Sequence, residues 1–408
     1  MKKIFVLALL SCFLILSGCG APFHKKLDTY LMNGQYSLAD ELIEAEKAKG
    51  WEYNDKNELL YYFDKGSVTQ MLGNYKISGE FLDKADLMME KLYTKSAVDE
   101  AGAFLSNDLN IKYAGEDFEQ VMVSILKALN FMYMDDFDAA RVEARKVNNK
   151  LNYFADTYGD KAIYTDDAFA RYLTGFCYEA AGDMNDAYID YKKSYETYGK
   201  YSVLYGVMAP DGLKADLIRT ALALKFDEEA EAYKNEFGAI SYADNAKLRN
   251  SAEIMVVVYD GMPAYKTEGA GHMPVFSVRG YSVSSVEVYA RGVTGTPFVA
   301  QDLSTMAVRN LENKNGWILL KSVTRNVVKN LLKEIAPISK LFLGEDKADT
   351  RCWRTIPSRF QVVRMAVEPG RTQALVKIQS VRGEEREEVF ELDLKAGQKK
   401  VLPVYCFY

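Results

Sequence analysis

Between Leu38 and Phe237, apolar side chains recur at three- and four-residue spacing in stretches broken by short polar turns. Asn33-Gly34-Gln35-Tyr36 precedes a stripe of Leu38, Ala39, Leu42 and Ile43. The spacing predicts a helical pair over Leu59 to Ala85 turning at Gly73-Asn74-Tyr75, and another over Val121 to Val147 turning at Asp136-Phe137. A third covers Ala168 to Ser194 and turns at Gly182-Asp183, where glycine tolerates the left-handed backbone of a helix end. A last pair is predicted over Asp211 to Leu224 and Asp227 to Phe237, with Asp211 as N-cap. The period changes at Ala252. Glu253 to Tyr259 is β-branched and bounded by Asp260-Gly261, and Tyr281 to Ala290 alternates, so both predict strands. Gly316 to Ile335 returns to helical spacing, with Leu320, Val323, Val327, Leu331 and Ile335 on one face and Pro337 as the stop. Phe360 to Val367, Thr372 to Val381, Glu387 to Leu394 and Lys399 to Phe407, separated by Pro369-Gly370, Gly383 and Gly397, predict a meander of antiparallel strands. The whole is an α+β chain: a helical solenoid over 20–249, then a β-rich domain with one long helix over 250–408.

Small and aromatic residues fall at fixed places in the helical pairs. Gly175 and Tyr178 are spaced G-x-x-Y, Ala187 and Tyr191 follow at A-x-x-x-aromatic, and Tyr62 and Gly66 stand at W-x-x-x-G spacing. Ala39, Ser78, Ala140 and Ala187 are equivalent small positions. This resembles the tetratricopeptide repeat, in which small residues let two helices approach and an aromatic fills the space beside them. The separations exceed the roughly 34 residues of a regular array, so the array carries insertions, notably around Lys95 to Glu116. In such repeats the first helix of each pair lines a concave groove. That projection places Leu60, Phe63 and Met71, then Met122, Ile125, Leu129 and Tyr133, then Phe169, Tyr172 and Phe176 along it. An apolar groove of this kind either takes a partner's peptide or helix, or is filled by the chain's own insertions and β-rich domain. The irregular spacing favours filling from within.

Composition narrows the function classes. The chain of 408 residues is 49% hydrophobic and 26% charged, with 28 Tyr and 9 Pro, and its net charge of −6 argues against general nucleic-acid binding. Residues 1–19 read as a processing segment: Lys2 and Lys3, an apolar run from Ile4 to Leu16 too short to span a bilayer, then Leu16-Ser17-Gly18-Cys19. That end resembles the bacterial lipobox, which implies a diacylglycerol on Cys19 and a membrane partner through the lipid anchor. Gly20 after the cysteine implies the outer membrane, facing the periplasm, in a Gram-negative cell. Gly20 to His24 spans at most ~17 Å, so the first helices are expected near the membrane surface. Of five cysteines, Cys12 leaves with the signal, Cys177 reads as a small buried hydrophobe, and Cys352 and Cys406 can pair in an oxidising envelope although no spacing demands it.

Candidate chemistry is sparse. The two histidines, His24 and His272, lie in no metal-ligand or nucleophile spacing, so neither a metal nor another cofactor is expected. The glycine-rich Gly269 to Pro274 lacks the ending of a phosphate loop and is expected to be a mobile loop. Asp135-Asp136 and Asp166-Asp167 fall at helix turns, where Asp caps ends. Lys321, Arg325, Lys329 and Lys333 lie opposite the apolar stripe of the long helix and read as its solvated face.

Four strings carry a further resemblance. Tyr113 to Glu119 resembles Y-x-G-E-x-[FY]-E, Val142 to Asn148 resembles V-E-A-R-R-x-N, Val256 to Pro263 resembles a valine-glycine-proline segment, and Asp349 to Pro357 resembles D-T-R-x-W-R-T-L-P. Together they resemble a family of uncharacterised bacterial lipoproteins with tetratricopeptide repeats. The resemblance implies an envelope location and no activity. Asp349, Arg351, Trp353 and Arg354 are either a surface hot spot or an anchor tying the β-rich part to the helices, and the strand that follows favours the anchor. The expected function is a membrane-anchored scaffold or assembly factor for envelope proteins. The alternative is a cell-wall enzyme or ligand-binding lipoprotein with its site in the C-terminal domain.

Overall fold

Between Phe23 and Phe237 the apolar stripes fold as helices, and each pair of helices turns back through the same three-residue device. In the computed structural model, which describes residues 23–96, 111–158, 163–314 and 347–407, five pairs follow one another. They are α1 (Phe23–Met32) with α2 (Tyr36–Lys49), α3 (Glu58–Met71) with α4 (Tyr75–Ser96), α5 (Asp117–Tyr133) with α6 (Phe137–Tyr158), α7 (Ala168–Ala180) with α8 (Met184–Leu204), and α9 (Asp211–Ala223) with α10 (Asp227–Phe237). The middle residue of every turn is left-handed: Gly34, Gly73, Asp135, Gly182 and Lys225, with φ between 61° and 87°. The residue after it donates its N–H five positions back, as Gln35 to Tyr30, Asn74 to Thr69, Asp136 to Phe131, Asp183 to Tyr178 and Phe226 to Ala221, at 2.8–3.0 Å. These are Schellman closures, which satisfy the last carbonyls of the first helix.

The run of helices ends with the short α11 (Asn245–Asn250), and β1 (Ala252–Asp260) begins two residues later. The strands are β2 (Tyr265–Glu268), β3 (Pro274–Ser277), β4 (Val283–Ala290), β5 (Val293–Gly295), β6 (Phe298–Asp302), β7 (Arg359–Val367), β8 (Gly370–Ser380), β9 (Glu385–Leu394) and β10 (Lys399–Cys406). They form one sheet in the order β10-β1-β7-β6, a second in the order β5-β4-β8-β9, and the β2-β3 hairpin. Gly269 to Pro274, expected as a loop, joins that hairpin through a single 3-10 turn at Ala270–His272. Helical residues 303–314 follow β6, capped where Thr305 N–H donates to Asp302 Oδ1 at 2.9 Å.

The last four strands are not a meander. Only β8 and β9 pair as consecutive neighbours, whereas β7 is antiparallel to β1 and β10 is parallel to it. The reason lies in β1, whose residues are buried along its entire length. Met255, Val257 and Tyr259 point into the core shared with the helices, and Ile254, Val256 and Val258 point into the core shared with the second sheet. A strand that buries both faces belongs in the middle of a layered stack. The order is helices, then the β1 sheet, then the β4 sheet, whose outer face is wet. The predicted helix at 316–335, with its Lys321, Arg325, Lys329 and Lys333 face, lies outside the described residues, as do Cys19 and the lipobox-like string that ends at it. Cys177, Cys352 and Cys406 are buried, and no disulfide joins Cys352 to Cys406.

Candidate functional site

The first helix of each pair does face inward, and what it meets is the chain's own sheet. All ten candidate groove residues are buried. Phe63 stacks on Trp353 at 4.2 Å between ring centroids. Phe169 stacks on Phe360 at 5.0 Å, and Tyr172 meets Phe298 edge-on at 6.0 Å. The Tyr133 hydroxyl lies 3.0 Å from that of Tyr259, which donates to Gln70 Oε1 at 2.9 Å. Met122, Ile125 and Leu129 sit in the same core, and Phe176 carries the Arg364 guanidinium 4.8 Å above its ring. The groove is therefore closed to a partner by β1, β6, β7 and β10, because the apolar face of the sheet needs the same cover that the helices do.

Two polar clusters are set into this junction. The first gathers strings that lie far apart in sequence. Asp349 forks onto Arg351 at 2.7 and 2.8 Å, and Arg351 reaches the Ile111 carbonyl at 3.0 Å over the ring of Tyr113. The Trp353 N–H donates to Glu119 Oε1 at 2.7 Å, and its indole N–H is shared between Ser67 Oγ and Thr355 Oγ1. Thr355 donates to Asp64, which also accepts from Tyr53. Arg354 bonds Asp28 at 3.0 Å and lies over Tyr265. The four residues thus tie the β-rich part to α1, α3 and α5.

Sequence reasoning noted the string Tyr113 to Glu119 as a resemblance but missed its place in this cluster. Glu116 is the N-cap of α5, and its capping box with Glu119 is the signal that an E-x-x-E opening a helix could have supplied. Glu119 Oε2 accepts from Tyr113 OH at 2.6 Å and from the Glu116 N–H at 2.9 Å. Burial, then the charge of Glu116, pushes the Glu119 carboxyl up to about 7. Burial acts on Glu116 too, but the ammonium groups of Lys266 and Lys314 overcome it and hold that carboxyl at about 2. Burial lifts Asp64 to about 6. Two neighbouring glutamates are thereby split in protonation, a pattern seen in catalytic pairs. Both are nonetheless spent on internal partners.

The second cluster was not anticipated at all. Arg364 on β7 bonds Glu179 at 2.8 Å, Asp216 at 3.0 Å and Glu253 at 2.8 Å. Arg219 bonds Glu179 at 2.6 Å and Asp216 at 2.8 Å, and Lys399 reaches Glu179 at 2.9 Å and also Glu253. Three acids and three bases thus meet from α7, α9, β1, β7 and β10, and Tyr191 donates to Glu179 at 2.8 Å. Burial opposes charge on Glu179, yet Arg364, Lys399 and Arg219 hold its carboxyl well below the usual range. Cavities of about 540 and 320 Å³ flank this cluster, and Arg219, Leu248 and Glu253 line both.

Neither cluster presents a nucleophile with a base. Burial pushes the Cys352 thiol up to about 11 and Cys177 higher, so both stay protonated. His24 pairs with Glu52, and His272 with Glu268. Among the described residues no three His, Cys, Asp or Glu side chains gather as metal ligands, and no helix is long and apolar enough to cross a membrane.

No protein-family model matches the chain, and no curated protein matches it. Solved helical-repeat structures do. TPR-like repeats of a kinesin light chain from Podosopora anserina share 14% identity over 53% of this chain and 92% of that one, at a TM-score of 0.35. BtubC from P. vanneervenii shares 16% over 52% and 74%, at 0.34, and the apo form of RapI 12% over 52% and 68%, at 0.36. At these scores the likeness is one of helical repeats alone and says nothing of partners.

Proposed function

We propose that the chain is a lipid-anchored scaffold of the bacterial cell envelope, held by Cys19 at a membrane, and in a Gram-negative cell at the outer membrane facing the periplasm. The observation that carries this reading is where the polar groups are used. The buried carboxylates and guanidiniums lock the helical repeats to the sheet, and none of them is placed beside a reactive nucleophile. Partner envelope proteins would then meet the convex helices or the wet face of the β4 sheet, since the concave face is occupied. The test is crosslinking of the lipidated protein in native envelopes. Recovery of defined envelope proteins on Lys or Tyr residues of those outer surfaces is expected. Recovery of self-contacts and lipid alone would sink it.

A ligand-binding role has one observation in its favour. The cavity of about 320 Å³ is lined by Tyr172, Asp216, Tyr242, Thr296 and Phe298, and the buried Tyr172 hydroxyl makes no hydrogen bond to the protein. Native mass spectrometry of protein extracted from envelopes would show a bound small molecule, lost on Tyr172→Trp, if this role holds.

A further inference from the structure

The end of α1 that leads to the tether is also where the largest exposed aromatic side chain among the described residues stands. Trp51 is 76% exposed, in the turn between α2 and α3. That turn is fixed to the start of α1 by two contacts. His24 Nε2 lies 2.9 Å from Glu52 Oε1, and the Phe23 ring meets Tyr53 edge-on at 5.4 Å. Trp51 is two residues from Tyr53, so its backbone lies within about 8 Å of a residue that touches Phe23. Lys25 and Lys26 on α1 and Lys49 beside Trp51 are exposed as well, with Asp55 as the exposed acid of the turn. The base of this face is rigid: Asp28 accepts from Arg279 at 2.9 Å and Arg354 at 3.0 Å, which pins α1 to the β-rich part.

A tether from Cys19 to Phe23 is four residues, at most ~14 Å. A lipid on Cys19 therefore holds this end of the molecule, and not another, against the headgroups. An indole prefers the headgroup level, where its ring is half in apolar surroundings and its N–H is wet. Exposed lysines beside it gain about fivefold each against an anionic surface.

We propose that the α1 start and the Trp51 turn form a membrane-docking face, with Trp51 seated at the headgroup level and Lys25, Lys26 and Lys49 against anionic lipid. This rests on the anchoring reading above and adds to it a fixed orientation. The β4 sheet joins the β1 sheet on the side away from the helices, so its wet face is left free for partners.

The experiment uses the full lipidated protein in vesicles of phosphatidylethanolamine and phosphatidylglycerol with brominated acyl chains. Trp317→Phe leaves Trp51 and the buried Trp353 as emitters. Bilayer quenching and a blue shift of the exposed component are expected, absent in Trp51→Phe, and Lys25→Glu with Lys26→Glu lowers the quenching only in anionic vesicles. Intact mass of the same sample reports the acyl chains on Cys19. Acylated protein whose Trp51 stays unquenched overturns the docking face and leaves anchoring intact. Protein without acyl chains overturns both. Trp51 that is unquenched in vesicles yet shielded from aqueous quencher in native envelopes assigns the face to a protein and also overturns the proposal.

Discussion

Buried carboxyls make the chain sensitive to pH, Glu119 most of all. Glu119 titrates near 7 in the fold and near the ordinary 4.5 when unfolded, so the folded state holds the proton more tightly. Its contribution is complete below about 4.5 and is lost as pH rises through 7. Asp64 and Asp167, each lifted by burial to about 6, act in the same sense. Stability measured by urea unfolding is expected to fall between pH 5 and pH 8, by no more than about 3 kcal/mol from Glu119. Glu119→Gln should flatten that slope whatever it does to the absolute value, because Gln cannot titrate. An unchanged slope would show that other groups set it. Trp353 is the neighbouring test. It is 1% exposed, stacked on Phe63 and bonded at both nitrogens. Trp353→Ala should cost about 3–5 kcal/mol, read as a lower urea midpoint. The thiols give a third. Cys352 and Cys406 are buried and not joined by a disulfide, so a thiol reagent should label neither in the native state and reductant should leave the melting temperature unmoved. Labelling without unfolding would count against the burial described.

At the scale of elements, spacing in the sequence identifies the helical pairs and even their close approaches. A Cβ on Gly66 would lie 2.6 Å from Leu82, and one on Gly175 the same distance from Tyr191. The small-residue pattern marks these positions because two helix backbones meet there. Gly66→Ala should destabilise by about 1–3 kcal/mol, and Leu82→Ala in the same chain should recover part of that loss, a coupling that a double-mutant cycle would show. The turns are less evident. Three of the five left-handed residues are Gly and stand out, but Asp135 and Lys225 do the same work unmarked. Lys225→Gly should therefore stabilise the protein, by up to about 1 kcal/mol, and a lowered melting temperature would contradict the equivalence of the turns. The strands show where local reading stops. The alternation in residues 360–407 locates four strands, yet pairing depends on β1, which lies about a hundred residues upstream, and no local pattern contains that. The short β2, β3, β5 and β6 escaped for another reason. They have too few residues to show a period.

The whole molecule behaves as one body because the solenoid and the sheet share a core. Met255, Val257, Tyr259, Phe360, Val362, Val401 and Tyr405 on one side meet Phe63, Leu129, Phe169 and Phe176 on the other. The ion cluster at the same seam was illegible in sequence because its members are spread from Glu179 to Lys399 and each alone looks like an ordinary surface charge. Unfolding should be a single calorimetric transition, and Arg364→Ala, which leaves three acids without their central partner, should lower its midpoint steeply while keeping it single. Two resolved transitions would mean the halves are independent. The pairing of β1 with β10 has a consequence for biogenesis. Glu253 and Lys399 are 146 residues apart, and β10 closes both cores at once. A chain that emerges from its N-terminus cannot complete its hydrophobic layers until that last strand is free to pair. Until then the inward face of the solenoid stays bare, so a holdase chaperone has its client window there, and a stop codon just before Lys399 should yield protein that proteases clear rather than a shortened but working form.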